Sequence, residues 1–167
     1  MNASLFTLTS PDFGSGASIP SRFTCDGEQV NPPLSITGTP MEAKSLVLFL
    51  QDPDIPQSVK QQGIEVFDHW VLFNIPPQTH SIGEGQSVGT PGNNSMRRPV
   101  YAGPCPPSDE EPVEHRYFFK LYALDSLLSL SKGASRADIE KAMQGHIIAQ
   151  TELTARYRRT FKSTRLQ

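Results

Sequence analysis

The residues best suited to chemistry begin the stretch 115–125, which starts with His115 and places Tyr117 two positions later. Alternate side chains of an extended chain share one face, so His115 and Tyr117 point the same way as every second residue that follows. Those residues are apolar and are expected in the core: Phe119, Leu121 and Ala123. The proline-rich loop 103–107 precedes this strand. An imidazole and a phenol at the mouth of a buried strand face, beside a stiff loop, predict a small polar pocket.

Two aspartates follow another buried strand. Residues 45–50 form a continuous apolar run of strand length, which predicts a central strand covered on both faces. The run leads into Asp52 and Asp54, and Pro53 and Pro56 stiffen the backbone around them. In one interpretation the carboxylates only accept hydrogen bonds from N–H groups of the turn, a common role of Asp beside Pro. In the other interpretation they belong to the pocket.

His69 lies near the start of a third predicted strand, residues 66–75. A single histidine in a strand commonly has a structural role, and the same holds for His115 taken alone. However, Asp52, His69 and His115 each lie at the end of a predicted core strand, next to a stiff loop. Strand ends gather at the rim of a β-sandwich, so the three side chains can converge there.

The chain as a whole favours one mainly β domain spanning residues 1–167. Its 15 prolines and 12 glycines favour many short strands and turns over long helices. The polar segment 81–107 is predicted as a long loop, and such loops are often functional. One helix is predicted, capped by Ser135, with Asp138 three residues later and an end at Gly145. Beyond it, residues 147–157 alternate with a period of two, which favours a closing strand, with a helix as the alternative.

Charge and hydropathy limit the partners and the location. A formal net charge of −2 does not attract a polyanion, so nucleic-acid binding is not expected. The N-terminus lacks the pattern of a secretion signal and no run of about 18 apolar residues occurs, which predicts a cytoplasmic protein. In that compartment Cys25 and Cys105 are expected as reduced thiols, with a disulfide as the alternative. Cys105 is also a candidate nucleophile, although no neighbouring base supports that role.

Four ordered motifs resemble the phosphatidylethanolamine-binding protein family, the Raf-kinase-inhibitor-like group in its bacterial and archaeal branch. They are residues 52–56, 67–76, 101–107 and 115–117. Residues 23–27, together with 31–35, also resemble the N-terminal signature of that branch. The resemblance covers about residues 5–157, which is nearly the whole chain.

This resemblance implies an antiparallel β-sandwich with Greek-key strand order, one or two short helices and a small anion-binding pocket at one end. Relatives bind phosphate-like groups and phospholipid head groups there, and some inhibit kinases or serine proteases. Bacterial relatives are often homodimers, and no cofactor or metal is implied. Carried over position by position, the ligand-binding residues are Asp52, Asp54, His69, Tyr101, Gly103, Pro104, Cys105, Pro106, His115 and Tyr117.

The chemistry of such a pocket also follows from its residue types. The imidazoles of His69 and His115 and a phenol can donate hydrogen bonds, and backbone N–H groups near Gly103 and Cys105 can complete an anion nest. Asp52 can orient a histidine or accept the proton of a monoprotonated phosphate, whose second pKa is about 6. The sequence therefore predicts a small-anion binding protein, not an enzyme, whose affinity for phosphate rises as the pH falls.

Two other classes of function remain open. Asp52, His69 and His115 can form a metal site or an acid–base pair of a hydrolase, although no HExxH, CxxC or nucleophile-elbow pattern accompanies them. A protein-interaction module is the second class. Its surfaces would be the basic C-terminal tail, residues 158–167, which can contact anionic lipid, and the acidic loop 108–114. The loops 93–100 and 108–114 depart from the family pattern and are expected to frame the pocket mouth.

Overall fold

Two antiparallel sheets form the fold. The structure is a computed structural model that describes residues 5–160. A three-stranded sheet has the order β1-β2-β5, and a five-stranded sheet has the order β6-β4-β3-β7-β8. The strands are β1 (Thr7–Thr9), β2 (Leu34–Thr37), β3 (Ser45–Asp52), β4 (Phe67–Ile75), β5 (Ser81–Ile82), β6 (Thr90–Pro91), β7 (Glu114–Leu124) and β8 (Ile147–Arg158).

The main core lies between the two sheets. Alternate residues of β7 are buried, from His115 and Tyr117 to Phe119, Leu121 and Ala123, as the period of two predicts. They share one apolar cluster with residues of the small sheet, such as Leu8. Burying each large apolar side chain contributes about 1.5–3 kcal/mol, so this face holds the sheets together. The predicted antiparallel β-sandwich is confirmed.

Strand β3 is the central strand and is buried along its whole length. Its second face is covered by helix α2 (Arg136–Met143), whose Ile139 and Met143 pack with Val47 and Phe49. The predicted cap is confirmed, because Ser135 Oγ accepts a hydrogen bond from the Asp138 N–H at 3.1 Å. The other helices are α1 (Gln57–Lys60) and a 3-10 turn at Ser21–Phe23. None of the described helices has both the length and the apolar character needed to cross a bilayer.

The segment after α2 is a strand, which resolves the two alternatives for residues 147–157. Strand β8 pairs with β7 from Glu114 opposite Arg158 to Leu124 opposite Ile147. Arg159 then donates hydrogen bonds from Nε and Nη2 to Asp26 Oδ1 at 3.1 and 2.9 Å. The predicted basic tail extends beyond Thr160, so most of it lies outside the described residues.

The expectation of reduced thiols is wrong. Cys25 and Cys105 form a disulfide, with Cα atoms 5.4 Å apart and a sequence separation of 80 residues. The bond joins the loop after the 3-10 turn to the loop that precedes β7. It removes Cys105 as a candidate nucleophile. Disulfides persist mainly in oxidising compartments, and the cytoplasmic location stays a prediction.

Reduction of the Cys25–Cys105 bond should lower the free energy of unfolding by about 2–5 kcal/mol, because it releases a long loop in the unfolded chain. Urea denaturation with and without a thiol reductant measures this change. The double variant Cys25→Ser/Cys105→Ser is the control and should not respond to the reductant. Equal stability of the wild-type protein in both conditions would show that the bond does not form.

Candidate functional site

A cavity of about 360 Å³ lies at the end of the sandwich where β3 ends and β4 and β7 begin. Six of the ten predicted ligand-binding residues line it: Asp52, His69, Gly103, Cys105, Pro106 and His115. Its size is at the lower end of the range for small-molecule pockets, about 300–1,000 Å³. The antiparallel pairing of β3 with both β4 and β7 brings these strand ends together.

His115 donates hydrogen bonds from both ring nitrogens. Its Nδ1 lies 2.6 Å from Asp52 Oδ2, and its Nε2 lies 2.9 Å from the carbonyl oxygen of Pro112. A carbonyl oxygen only accepts, so Nε2 carries a proton, and the short contact to Asp52 places a second proton at Nδ1. Burial alone would lower the pKa of His115, but the hydrogen bond and the charge of Asp52 raise it above its usual value. His115 is therefore an imidazolium whose two donors are already used.

The pKa of His69 is shifted in the opposite direction from that of His115. The Nδ1 of His69 donates a hydrogen bond to the carbonyl oxygen of Ala102 at 2.8 Å, which leaves a lone pair on Nε2. Burial lowers the pKa of His69 and outweighs the hydrogen bond to Ala102, so the ring is neutral at pH 7. Nε2 lies 4.0 Å from Asp52 Oδ2 and has no hydrogen-bond partner among the described residues. His69 thus directs an unused acceptor toward the cavity end of the sheet.

Tyr117 lies behind the cavity and does not line it. Its ring is fully buried and packs edge-on against His69, with ring centroids 5.4 Å apart. Its hydroxyl group has no hydrogen-bond partner within the described part of the chain. Burial raises the pKa of Tyr117, so the hydroxyl group keeps its proton as a donor. Leaving such a group unpaired costs about 1–3 kcal/mol, which a bound partner would recover.

Asp54, Tyr101 and Pro104 lie outside the cavity lining and hold the surrounding backbone instead. Asp54 accepts hydrogen bonds from the Arg116 backbone N–H and guanidinium at 2.8–2.9 Å, and these hold the pKa of Asp54 below its usual value. The Tyr101 hydroxyl donates to the carbonyl oxygen of Phe23 at 2.7 Å. The carbonyl oxygen of Pro104 accepts from the Cys25 N–H at 3.1 Å.

One of the two backbone N–H groups of the predicted anion nest is already hydrogen-bonded within the protein. The N–H of Gly103 donates to Gln29 Oε1 at 3.1 Å and is not free to bind an anion. A side chain at position 103 would come within 2.7 Å of the Phe23 carbonyl oxygen, so only glycine allows the loops to approach this closely. Among the described residues, no acceptor binds the Cys105 N–H.

The sequence did not point to the apolar lining of the cavity. Ile55, Val59, Phe67 and Met96 complete its wall. Phe67 precedes His69 by two residues on β4, so the strand period alone could have placed it on the same face. Val59 and Met96 come from α1 and from a loop, where no periodicity indicates which way a side chain points.

The described lining of the cavity carries no net positive charge. Among residues 5–160, no Lys or Arg side chain lines it, and the Asp52 carboxylate is balanced by the His115 imidazolium. Within residues 5–160, no cluster of three or more metal-ligating side chains occurs. What the site offers is an acceptor on His69, the unbonded N–H of Cys105 and apolar walls. These features define a small β-sandwich protein with a partly open cavity at one end.

The chain belongs to the phosphatidylethanolamine-binding protein family, whose model matches residues 9–158. The resemblance seen in its four motifs is thereby confirmed. A UPF0098 protein of Methanothermobacter thermautotrophicus is 45% identical over 154 residues, which are 88% of this chain and 95% of that protein. A UPF0098 protein of Chlamydia trachomatis is 41% identical over 151 residues, or 90% of this chain and 97% of that protein.

Two solved structures share the fold. A crystal structure of a phosphatidylethanolamine-binding protein homologue from Chlamydia trachomatis superposes with a TM-score of 0.85 at 40% identity, covering 92% of this chain and 97% of that one. The crystal structure of YbcL from E. coli gives a TM-score of 0.79 at 24% identity, covering 92% and 98%. The fold is therefore common to relatives that differ widely in sequence.

Asp52→Asn should destabilise the protein most at about pH 6.5 and progressively less toward about pH 9. The reason is the raised pKa of His115: its favourable contribution is complete below the unfolded value of 6.5 and is lost as the pH rises through the folded value. At the acidic end, removing one partner of a buried pair costs about 3–5 kcal/mol. Chemical denaturation of both proteins across this range measures the difference. A cost that does not change with pH would contradict the assigned imidazolium.

Proposed function

We propose that the cavity binds the phosphoryl group of a phosphate monoester in its monoprotonated form. The observation that carries this proposal is the lone pair on His69 Nε2, which is buried and unpartnered among the described residues. Buried polar groups nearly always have a partner, so an orphan beside a cavity points to a missing ligand group.

His69 Nε2 requires a group that donates a hydrogen bond. The Cys105 N–H, which no described acceptor binds and which belongs to the cavity lining, can donate to another oxygen of the same group. A monoprotonated phosphate carries a P–OH group and unprotonated oxygens at the same centre, and its second pKa is about 6. When the proton moves to His69, the same contact becomes a charge-assisted hydrogen bond, which is stronger.

The family name supports recognition of phosphate oxygens, while the phosphate of a phospholipid is a diester and lacks the P–OH group of a monoester. The name refers to a phospholipid, whose head group carries a phosphate. The donor and acceptor pattern around His69 and the Cys105 N–H is independent of that name. Both point to recognition of phosphate oxygens.

Binding is favoured over group transfer. The part of the cavity lining that the structure describes contains no hydroxyl side chain, and its two cysteines are joined to each other. Both donors of His115 are used, so it is not available as a proton shuttle while these bonds persist. The His115 and cysteine side chains that a hydrolase could use are thus bonded to other groups of the protein.

Calorimetric titration with phenyl phosphate should show an affinity that rises as the pH falls from about 8 to 6. The free site holds neutral His69, because its pKa is lowered, and the complex holds one more proton. Affinity should therefore change by up to about tenfold per pH unit. Sulfate, which carries no proton in this range, should bind more weakly.

His69→Ala should weaken this binding by about ten- to a hundredfold at pH 6 and flatten its pH dependence. His80→Ala is the matched control, because His80 is exposed and lies outside the cavity, and it should change neither property. An unaltered pH dependence in His69→Ala, or equal affinities for sulfate and phosphate, would overturn the proposal.

A further inference from the structure

The disulfide between Cys25 and Cys105 is part of the cavity wall, since both cysteines line the cavity. The rest of the protein holds the two sides of this bond very differently. Cys25 belongs to a loop that is fixed to the large sheet, whereas Cys105 begins a segment with few other contacts. The bond therefore anchors the second segment to the first.

The loop around Cys25 is fixed by the residues on either side of it. The Thr24 side chain is buried, and its hydroxyl group donates a hydrogen bond to a carbonyl oxygen of the 3-10 turn at 2.8 Å. The Asp26 carboxylate accepts hydrogen bonds from the Tyr157 hydroxyl group at 2.6 Å and from the Arg159 guanidinium. Tyr157 lies in β8 and Arg159 directly follows it, so this loop is tied to the large sheet without help from the disulfide.

The wall segment, residues 105–113, lies on the other side of the bond. As far as the structure describes the chain, no N–H or carbonyl group of this segment makes a backbone–backbone hydrogen bond. Two side-chain contacts hold it: Ser58 Oγ donates to Glu110 Oε1 at 2.6 Å, and His115 Nε2 donates to the Pro112 carbonyl oxygen at 2.9 Å. The first contact is exposed to solvent, so the disulfide is the main attachment at the beginning of the wall segment.

The beginning of the wall segment also covers the cavity. Pro106 is buried and Pro107 is half-buried, and both line the cavity together with His69. A proline has no N–H group to donate, so packing and the covalent bond at Cys105 keep these two residues in place. Without that bond, this part of the wall can move away from the sheet and admit solvent to His69.

We propose that the Cys25–Cys105 bond is a redox switch: its reduction releases the wall segment and opens the cavity, while the sandwich stays folded. Cys105 is exposed and Cys25 is half-buried, so a reductant in solution reaches the Cys105 sulfur more easily. The inference goes beyond the proposed ligand binding and does not depend on which ligand the cavity holds.

The reductant is a dithiol, either a small molecule or a protein with two neighbouring cysteines. One of its thiolates attacks the Cys105 sulfur, the bond to Cys25 breaks, and Cys25 leaves as a thiolate. The second thiolate of the reductant then displaces Cys105 and closes a disulfide within the reductant. The protein gains two electrons and two protons as two thiols, and the dithiol loses the same number.

Acylation of His69 by diethyl pyrocarbonate, followed by mass spectrometry, measures whether the cavity is open. The reagent attacks the lone pair of a neutral imidazole, and His69 carries one on its buried Nε2. The variant Cys25→Ser/Cys105→Ser represents the reduced state without an added thiol. Its His69 should react about tenfold faster than that of the oxidised wild-type protein, because the wall opens locally. The exposed His80 should react at the same rate in both proteins.

Leu8→Ala is the matched control for lower stability. Leu8 is buried in the core between the sheets, so this variant is destabilised while its disulfide stays intact. Its His69 should react at the wild-type rate. A rate raised as much as in the double serine variant would show that general loss of stability exposes His69, and the proposal would fail.

Reduction of the folded wild-type protein completes the test. Dithiothreitol followed by iodoacetamide should label both cysteines in native buffer, and the amides of β3 should stay protected from hydrogen exchange. A bond that resists dithiothreitol until the protein unfolds, or unchanged acylation of His69 in the double serine variant, would overturn the switch. Loss of protection in β3 on reduction would show that the whole sandwich opens and would also contradict it. No readout involves a phosphate, so these outcomes leave the phosphate-binding proposal to its own test.

Discussion

The hydrogen bonds that His115 makes from both ring nitrogens govern the chemistry of the cavity. Asp52 lies at the end of β3 and Pro112 in the loop before β7, so the imidazolium joins two segments that meet at this end of the sandwich. The pair also cancels two charges that would be costly to bury separately. With Asp52 and His115 satisfied by each other, the buried side-chain atoms within residues 5–160 that lack a partner are those of His69 and Tyr117.

The two histidines differ in charge because their surroundings shift their pKa values in opposite directions. The carboxylate at His115 raises its pKa, whereas burial lowers that of His69. Two identical side chains therefore carry different charges at the same pH. His115 is paired within the structure, and His69 keeps a lone pair that the described residues leave unpaired. The apolar wall around Phe67 and Met96 strengthens the polar contacts by excluding water, because hydrogen bonds are stronger in a less polar environment.

Sequence periodicity was sufficient to predict the strand faces and the helix. The alternation along β7 placed His115 and Tyr117 on the buried face, and the Ser135 cap marked the start of α2. The family motifs predicted that Asp52 and His69 lie at the same end of the fold, where both line the cavity. Periodicity could not predict which side chains bond to each other, because such pairs depend on distances in the folded chain. The ion pair of Asp54 with Arg116 and the disulfide bond of Cys25 with Cys105 are examples. Loop residues such as Met96 carry no periodic signal at all.

Nitrogen-15 NMR of the histidine side chains tests the central claim most directly, because it reports the protonation of each ring nitrogen. At about pH 7.5 the free protein should show His69 protonated only at Nδ1 and His115 protonated at both nitrogens. Saturation with phenyl phosphate should move the Nε2 resonance of His69 toward the protonated range and leave His115 unchanged. A response at His115 with none at His69, under conditions where the ligand is bound, would contradict the account.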